Sequence, residues 1–256
     1  MYWQRQNRIV TGGFPAVEIM APELMVRFAS RIGGSSDPPF DALNLGSGTG
    51  DDEKAVLSNR KAFLDHCGIA PEKIALCGQI HSDKIAITSD GGFFPRTDGL
   101  ITTSPDVALG INTADCFPII IYSPPERVLA ALHAGREGAR KGIIGSAFEI
   151  LTDRFGVDPA AAVALTGPGI CGRCYKVDEA IARDFPEETV RSIEGSPHLD
   201  LRAFLEMELS GAGIRKQSII HSNVCTCCDS ERCYSYRRDG GITGRHWTIA
   251  MIRDHG

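Results

Sequence analysis

The chain has no apolar run approaching the ~18 residues that a membrane-spanning helix needs. Its opening stretch, MYWQRQNRIVTGGF, holds no apolar core of signal-peptide length. Both absences lead to the expectation of a cytoplasmic protein with no membrane partner. Positive charge is also scarce: 27 Lys and Arg stand against 32 Asp and Glu, with the two signs interspersed. A general nucleic-acid binder carries a basic face, so no nucleic-acid partner is expected. There are seven histidines and none forms a His-x-His pair, which fits poorly with a multicopper oxidase. The glycine segments at 46–50 and 240–244 match neither G-x-G-x-x-G nor a Walker loop, so neither a nicotinamide cofactor nor a P-loop ATPase is expected. The H-x-E with P-C-x-x-C signature of nucleobase deaminases is missing too.

What is present is enough chain, 256 residues, to bury one full core, with no internal repeat and no low-complexity linker. Asp51 or Asp52 can cap a helix in which Val56, Leu57, Arg60, Leu64 and Cys67 recur at helical spacing. IALCGQI from Ile74, then KIAIT, DVALGIN (106–112), PIIIYS (118–123), VLAALH (128–133) and 162–166 read as strands. Residues 137–155 read as one helix with an apolar stripe of Ile143, Ile144, Ala147, Phe148 and Leu151. Segments 178–185 and 201–209 also read as helices. Cys233 to Arg238 and Arg245 to Arg253, around Asp239-Gly240-Gly241, read as a hairpin. Without a regular βαβ beat, the fold class is α+β: a single domain over 1–256, with mixed β-sheets flanked by helices.

His81, Asp115-Cys116 and His133 each fall where an apolar strand gives way to small or polar residues. A Cys/His/His set is a three-ligand zinc site with the fourth position open. On residue type alone, a buried cysteine and two hydrogen-bonded histidines is the alternative, and a thiol nucleophile at Cys116 with His81 or His133 as base is another. Nine cysteines is a high count, and an odd number cannot pair completely within one chain. Cys171-x-x-Cys174 and Cys225-x-Cys227-Cys228-x4-Cys233 have knuckle-like spacing, which allows a second, four-cysteine site. The two groups lie about fifty residues apart and do not match a zinc ribbon, so unligated thiols are the expectation. Arg237, Arg238 and Lys141 can hold phosphate, although surface charge is their commoner use.

Several motifs together resemble a known family. They are Gly33-Gly34-Ser35-Ser36, Leu43-Asn44-Leu45-Gly46, Gln79-x-His81, Ala114-Asp115-Cys116-x-Pro118-Ile119 and His133-Ala134-Gly135. They continue with Gly167-Pro168-x-Ile170, Cys174-Tyr175-x-Val177, Cys225-Thr226, Ser235-Tyr236-Arg237-Arg238-x-Gly240 and Thr243-Gly244-Arg245. In order, over roughly 25–253, they resemble the YfiH-like family, also called the polyphenol-oxidase or laccase-domain family, regarded as purine nucleoside phosphorylases of an unusual type. The resemblance implies a three-layer α/β/α-like α+β fold and a zinc site of His81, Cys116 and His133, which could take up copper in vitro. It implies phosphorolysis of adenosine, inosine and methylthioadenosine, plus hydrolytic deamination of adenosine, with Asp115 the nearest acid–base residue by sequence. Nucleoside and phosphate are then the partners, the assembly a monomer or homodimer, and Asn44, Arg60 and Gln79 line the substrate or phosphate pocket. One position departs from the pattern: the family's Trp-Arg-Gly after His-Ala-Gly is Arg136-Glu137-Gly138 here. Arg136 is therefore expected to face phosphate, and Glu137 to serve the helix N-terminus. A cysteine hydrolase, a copper-dependent polyphenol oxidase and a non-catalytic cell-wall quality-control factor are the competing functions.

Overall fold

The structure is a computed structural model that describes residues 1–254. Its strands are β1 (Tyr2–Gln6), β2 (Ile9–Gly13), β3 (Leu24–Ala29), β4 (Ile74–Cys77), β5 (Ile85–Ile87), β6 (Gly92–Phe94), β7 (Gly99–Thr102) and β8 (Ala108–Thr113). They continue as β9 (Phe117–Ser123), β10 (Val128–Ala134), β11 (Val163–Thr166), β12 (Val190–Ile193), β13 (Ser196–Leu199), β14 (Ile219–His221) and β15 (His246–Ile252). The helices are α1 (Pro15–Met20), α2 (Glu53–Cys67), α3 (Arg136–Arg140), α4 (Ile143–Phe155), α5 (Glu179–Ala182) and α6 (Leu201–Gly211).

Two mixed sheets form the centre. One runs β1-β2-β3-β15-β8-β4-β6, the other β14-β11-β9-β10-β7-β5, and β12-β13 make a small ribbon. Leu109, Ile111 and Ala250 of the first sheet share a buried cluster with Ile120, Tyr122, Leu129 and Leu165 of the second, so the sheets pack face to face. The outer face of the second sheet, with Ile119, Ile121, Ala130 and Leu132, packs on Ile144, Phe148 and Leu151 of α4 and Leu205 and Leu209 of α6. On the other side, Trp247, Ile249 and Met251 meet Phe63 and Leu64 of α2. Helices flank mixed sheets, as the sequence implied, but the β layer between them is two sheets deep rather than one. Every residue of β9 and β10 is buried. This explains their continuous apolar runs: a strand covered on both faces has no reason to alternate.

Three local expectations need correction. The helix expected over 137–155 is two helices, α3 and α4, because Gly142 between them takes a left-handed φ of +84°. The helix expected over 178–185 is confined to Glu179–Ala182, and Pro186 follows shortly after. The C-terminal hairpin does not form. Both edges of β15 are taken, by β3 and by β8. The segment expected to be its partner is instead a series of turns, pinned where the Tyr234 N–H donates to His246 Nε2 at 2.7 Å. Helix α2 begins as expected: Asp52 accepts from the Lys54 N–H, while Gly68 ends it at φ +69°. Leu57 on that helix nonetheless faces solvent.

Candidate metal centre

Two strand registers bring the site together. In the β9–β10 pair His133 lies opposite Pro118 and Ala134 opposite Phe117, which sets Cys116 beside the His133 end of β10. In the β7–β10 pair Leu132 lies opposite Gly99, so Asp98 falls next to His133, whose N–H donates to the Asp98 carbonyl at 2.7 Å. His81 arrives on the loop after β4, and that loop wraps around the same aspartate. The Asp98 carboxylate accepts from the N–H groups of Ile80, His81 and Ser82 and from the Ser82 hydroxyl, at 2.7–3.1 Å. Gln79, His81 and Asp115 all hold positive φ, +52°, +57° and +87°. Such backbone persists in non-glycine residues only where the surroundings enforce it, and it clusters at functional sites.

Within this frame His81, Cys116 and His133 each offer one donor atom, and the three atoms lie within 4.8 Å of one another. The two imidazole rings are 4.8 Å apart between centroids. Gly135 borders them closely: a Cβ there would stand 2.8 Å from His81 Nδ1 and 2.9 Å from Cys116 Sγ. A side chain at 135 would fill the space the three donors face. One thiolate and two imidazoles suit zinc or copper, and three protein ligands leave a coordination position open. The donor set and the cradle therefore fit a metal ion.

Charge supports the arrangement. Asp98 is fully buried, which alone would raise its pKa, but its hydrogen bonds to His133 and Ser82 bring it down to about 2. For His133, burial disfavours the cation, yet the Cys116 sulfur and the Asp98 carboxylate outweigh burial and lift it to about 9 in the metal-free protein. His81, at the mouth, is shifted down by desolvation and by the neighbouring His133. Asp98 fixes the His133 tautomer, because Nδ1, 2.8 Å from the carboxylate, must carry the proton and leaves Nε2 as donor.

The three ligands open into a pocket of about 760 Å³, a size that suits a small organic substrate. Arg136, Arg237 and Arg245 line it, as do Phe93, Tyr175 and Tyr236. Arg237 stacks on Tyr175 and Arg245 on Tyr236. Asn112 and Thr113 also line it, and each has a buried side-chain oxygen without a protein partner, Oδ1 and Oγ1. A larger depression of about 850 Å³ lies against Cys171, Cys225 and Cys228 and does not include the three ligands.

The other expected residues are distributed as follows. Asp115 lines the pocket, but its carboxylate accepts from the Thr226 hydroxyl and the Arg237 N–H, both at 2.7 Å. Gln79 lines it too, while its amide brackets the backbone of Asn112 through N–H and carbonyl, at 2.6 and 2.8 Å. Arg136 lines it and pairs with Glu137 at 3.1 Å. Asn44 and Arg60 are not among the lining residues. Asn44 is fully buried and bonds Thr49, Asp51, Gly46 and Arg245. Arg60 donates to the Leu45 carbonyl and covers Trp247. Arg238 is spent on the carbonyls of Thr226, Cys227 and Cys233, and Lys141 on the carbonyl of His81. Asp98 and Asn112 carry no site expectation from the sequence, and Arg245 stands there only within the motif Thr243-Gly244-Arg245. Asp98 had a signal, an isolated carboxylate at the head of the apolar run GLIT.

Comparison with known proteins fits this site. Residues 25–253 match the family described as multi-copper polyphenol oxidoreductase laccase. The chain belongs to this family. Members of this laccase family and its structural neighbours carry other names as well. The chain is 37% identical, over 88% of its length and 93% of the relative's, to a purine nucleoside phosphorylase of Corynebacterium glutamicum. It is 36% identical, over 86% of its length and 93% of the relative's, to one of Streptomyces coelicolor. Among solved structures it resembles YlmD of Geobacillus stearothermophilus, with a TM-score of 0.90, 28% identity and coverage of 98% and 99% of the two chains. The YfiH protein of Bacillus licheniformis matches equally well. Among the described residues no helix is long and apolar enough to cross a membrane.

Proposed function

We propose that the chain is a zinc-dependent purine nucleoside phosphorylase of the cytoplasm, acting on adenosine, inosine or methylthioadenosine. The observation that carries the reading is the facing of a Cys/His/His donor set and three arginines across one aromatic-walled pocket. The names of the relatives agree with it. In phosphorolysis a phosphate oxygen bonds to ribose C1′ as the C1′–N9 bond breaks, and the purine leaves with a proton. Arg136, Arg237 and Arg245 supply cationic donors for the phosphate. Phe93, Tyr175 and Tyr236 offer faces for the base, and Asn112 Oδ1 offers a free acceptor for one of its N–H groups or a ribose hydroxyl. His81, Cys116 and His133 would hold the zinc, which supplies a Lewis acid with an open position. Asp98 holds the His133 ring in its donor tautomer, and Asp115 ties the Cys116 loop to Thr226 and Arg237.

Deamination of adenosine is the second activity we propose for this pocket, with water adding at the purine C6 and ammonia leaving. It is the weaker partner reaction, because the pocket carboxylates are engaged: Glu137 by Arg136 and Arg140, Asp115 by Thr226 and the Arg237 N–H. A cysteine hydrolase has one observation in its favour, since Cys116, His133 and Asp98 line up as nucleophile, base and orienting carboxylate. His81 favours the metal reading instead, since a third donor atom converging on the same point has no use in that triad. The deciding experiment is ribose-1-phosphate release from adenosine and inosine, with and without phosphate, before and after chelation and zinc return. Release that depends on both phosphate and zinc is expected. Free ribose at an equal rate without phosphate, or full activity after chelation, would overturn the reading.

A further inference from the structure

The cysteines that the sequence left as thiols are brought together in space. Strands β11 and β14 run in parallel, with Thr166 opposite His221, and the pairing resumes beyond them where Gly169 lies opposite Cys225. The chain segments leaving the two strands are thereby held side by side, each carrying two cysteines three positions apart: Cys171 and Cys174 on one, Cys225 and Cys228 on the other. The four sulfur atoms lie within 4.8 Å of one another. Tetrahedral zinc with Zn–S bonds of ~2.3 Å requires sulfurs about 3.8 Å apart, so this spacing needs little adjustment. Cys174 and Cys228 stand 3.4 Å apart, well beyond a disulfide bond.

The backbone around the sulfurs is folded as it is around bound thiolates. Each pair closes a turn: the Cys174 N–H donates to the Cys171 carbonyl at 2.9 Å, and the Asp229 N–H to the Cys225 carbonyl at 3.0 Å. The Cys171 N–H donates to Cys225 Sγ at 3.2 Å, a hydrogen bond that stabilises negative charge on sulfur. Cys227 and Cys233 stand outside the cluster, and Cys233 belongs to the core between the sheets. Four soft donors without nitrogen or oxygen select zinc among the common divalent ions, and full coordination by protein makes the site structural.

We propose that Cys171, Cys174, Cys225 and Cys228 bind a second zinc ion, one that braces a wall of the pocket. Thr226, between two of these ligands, donates to Asp115, and Tyr175, next to a third, lies under Arg237. The proposal is independent of the reaction assigned to the pocket.

The test is metal content by mass spectrometry on the full chain purified under reducing conditions. About two zinc ions per chain are expected, falling to about one in a Cys171→Ser/Cys228→Ser variant. A His81→Ala/His133→Ala variant should also fall to about one, retaining the tetrathiolate metal. Cobalt substitution of that second variant should give the intense sulfur-to-metal charge-transfer absorption of a four-thiolate site. If the cysteine variant does not fold, the His81→Ala/His133→Ala variant still decides: mercurial titration of its thiols should release about one zinc per chain into an indicator dye. Unchanged zinc content in a folded cysteine variant, iron with labile sulfide in place of zinc, or a Cys174–Cys228 disulfide in the reduced protein would each overturn the proposal.

Discussion

Asp98 Oδ1 lies 2.8 Å from His133 Nδ1, and the same carboxylate receives the backbone of residues 80–82. One buried charge thus sets both the orientation of one ligand and the path of the loop carrying another. Asp98→Asn keeps the shape but removes the charge and places an amide among N–H donors. Metal affinity should fall by about 10–100-fold, as is usual for the partner of a ligating histidine. Competitive zinc titration against a chelating dye measures this, and affinity within twofold of wild type would contradict it.

Gly135 tests the geometry without disturbing the fold. Its backbone, φ −78° and ψ 169°, is open to any residue. An added Cβ would nevertheless press on His81 and Cys116. Gly135→Ala should melt close to wild type yet lose about 10²-fold in kcat/KM, since misplacement by about an ångström is enough for such a loss. A melt shifted downward in step with activity would instead indicate a structural effect.

The arginines should separate from their acidic neighbour in phosphate-saturation kinetics. Arg136→Ala and Arg245→Ala should each raise the phosphate KM by roughly tenfold, corresponding to about 1.4 kcal/mol. Glu137, whose carboxylate is held low first by Arg140 and then by Arg136, is half-buried at the surface. Glu137→Ala should leave the phosphate KM nearly unchanged and alter stability by no more than about 1 kcal/mol.

Acid should weaken the fold through His246. Burial holds this ring neutral, with its pKa lowered from 6.5 to about 3. Nδ1–H donates to the Ala29 carbonyl at 2.8 Å, while Nε2 accepts from Tyr234. The unfolded chain takes up a proton near pH 6.5 and the folded chain does not. Stability is therefore complete above that pH and declines as pH falls toward 3, by up to about 1.4 kcal/mol per unit from this group. Denaturant melts across that range should show a shallower decline in His246→Gln than in wild type.

The parts of this architecture legible in the sequence are those fixed by local chemistry. Asp52, one of two candidate caps, starts α2, and His81, Cys116 and His133 stand out because polar residues interrupt apolar strands at those points. What was hidden depends on which strand neighbours which. Asp98 gains its role only when β7 pairs with β10, and the two cysteine pairs meet only because β11 and β14 lie in parallel. The expected C-terminal hairpin failed for the same reason: alternation in Trp247, Ile249 and Met251 marks a strand but not its partners. Asn44 carries a family motif yet is consumed in bracing Gly46 and Arg245, a use that no pattern of residue types reveals.

The position of β15 bears on how the protein is made. Among the described residues it is the last strand in chain order, yet it sits between β3 and β8 in the interior of its sheet. A ribosome will already have released His81, Cys116 and His133 while β3 and β8 still expose unpaired backbone edges toward each other. Until residues 246–252 emerge, these two edges lack their shared partner, and unpaired edges of this kind favour aggregation. A late nonsense codon should therefore yield aggregated or degraded protein rather than a slightly shortened enzyme.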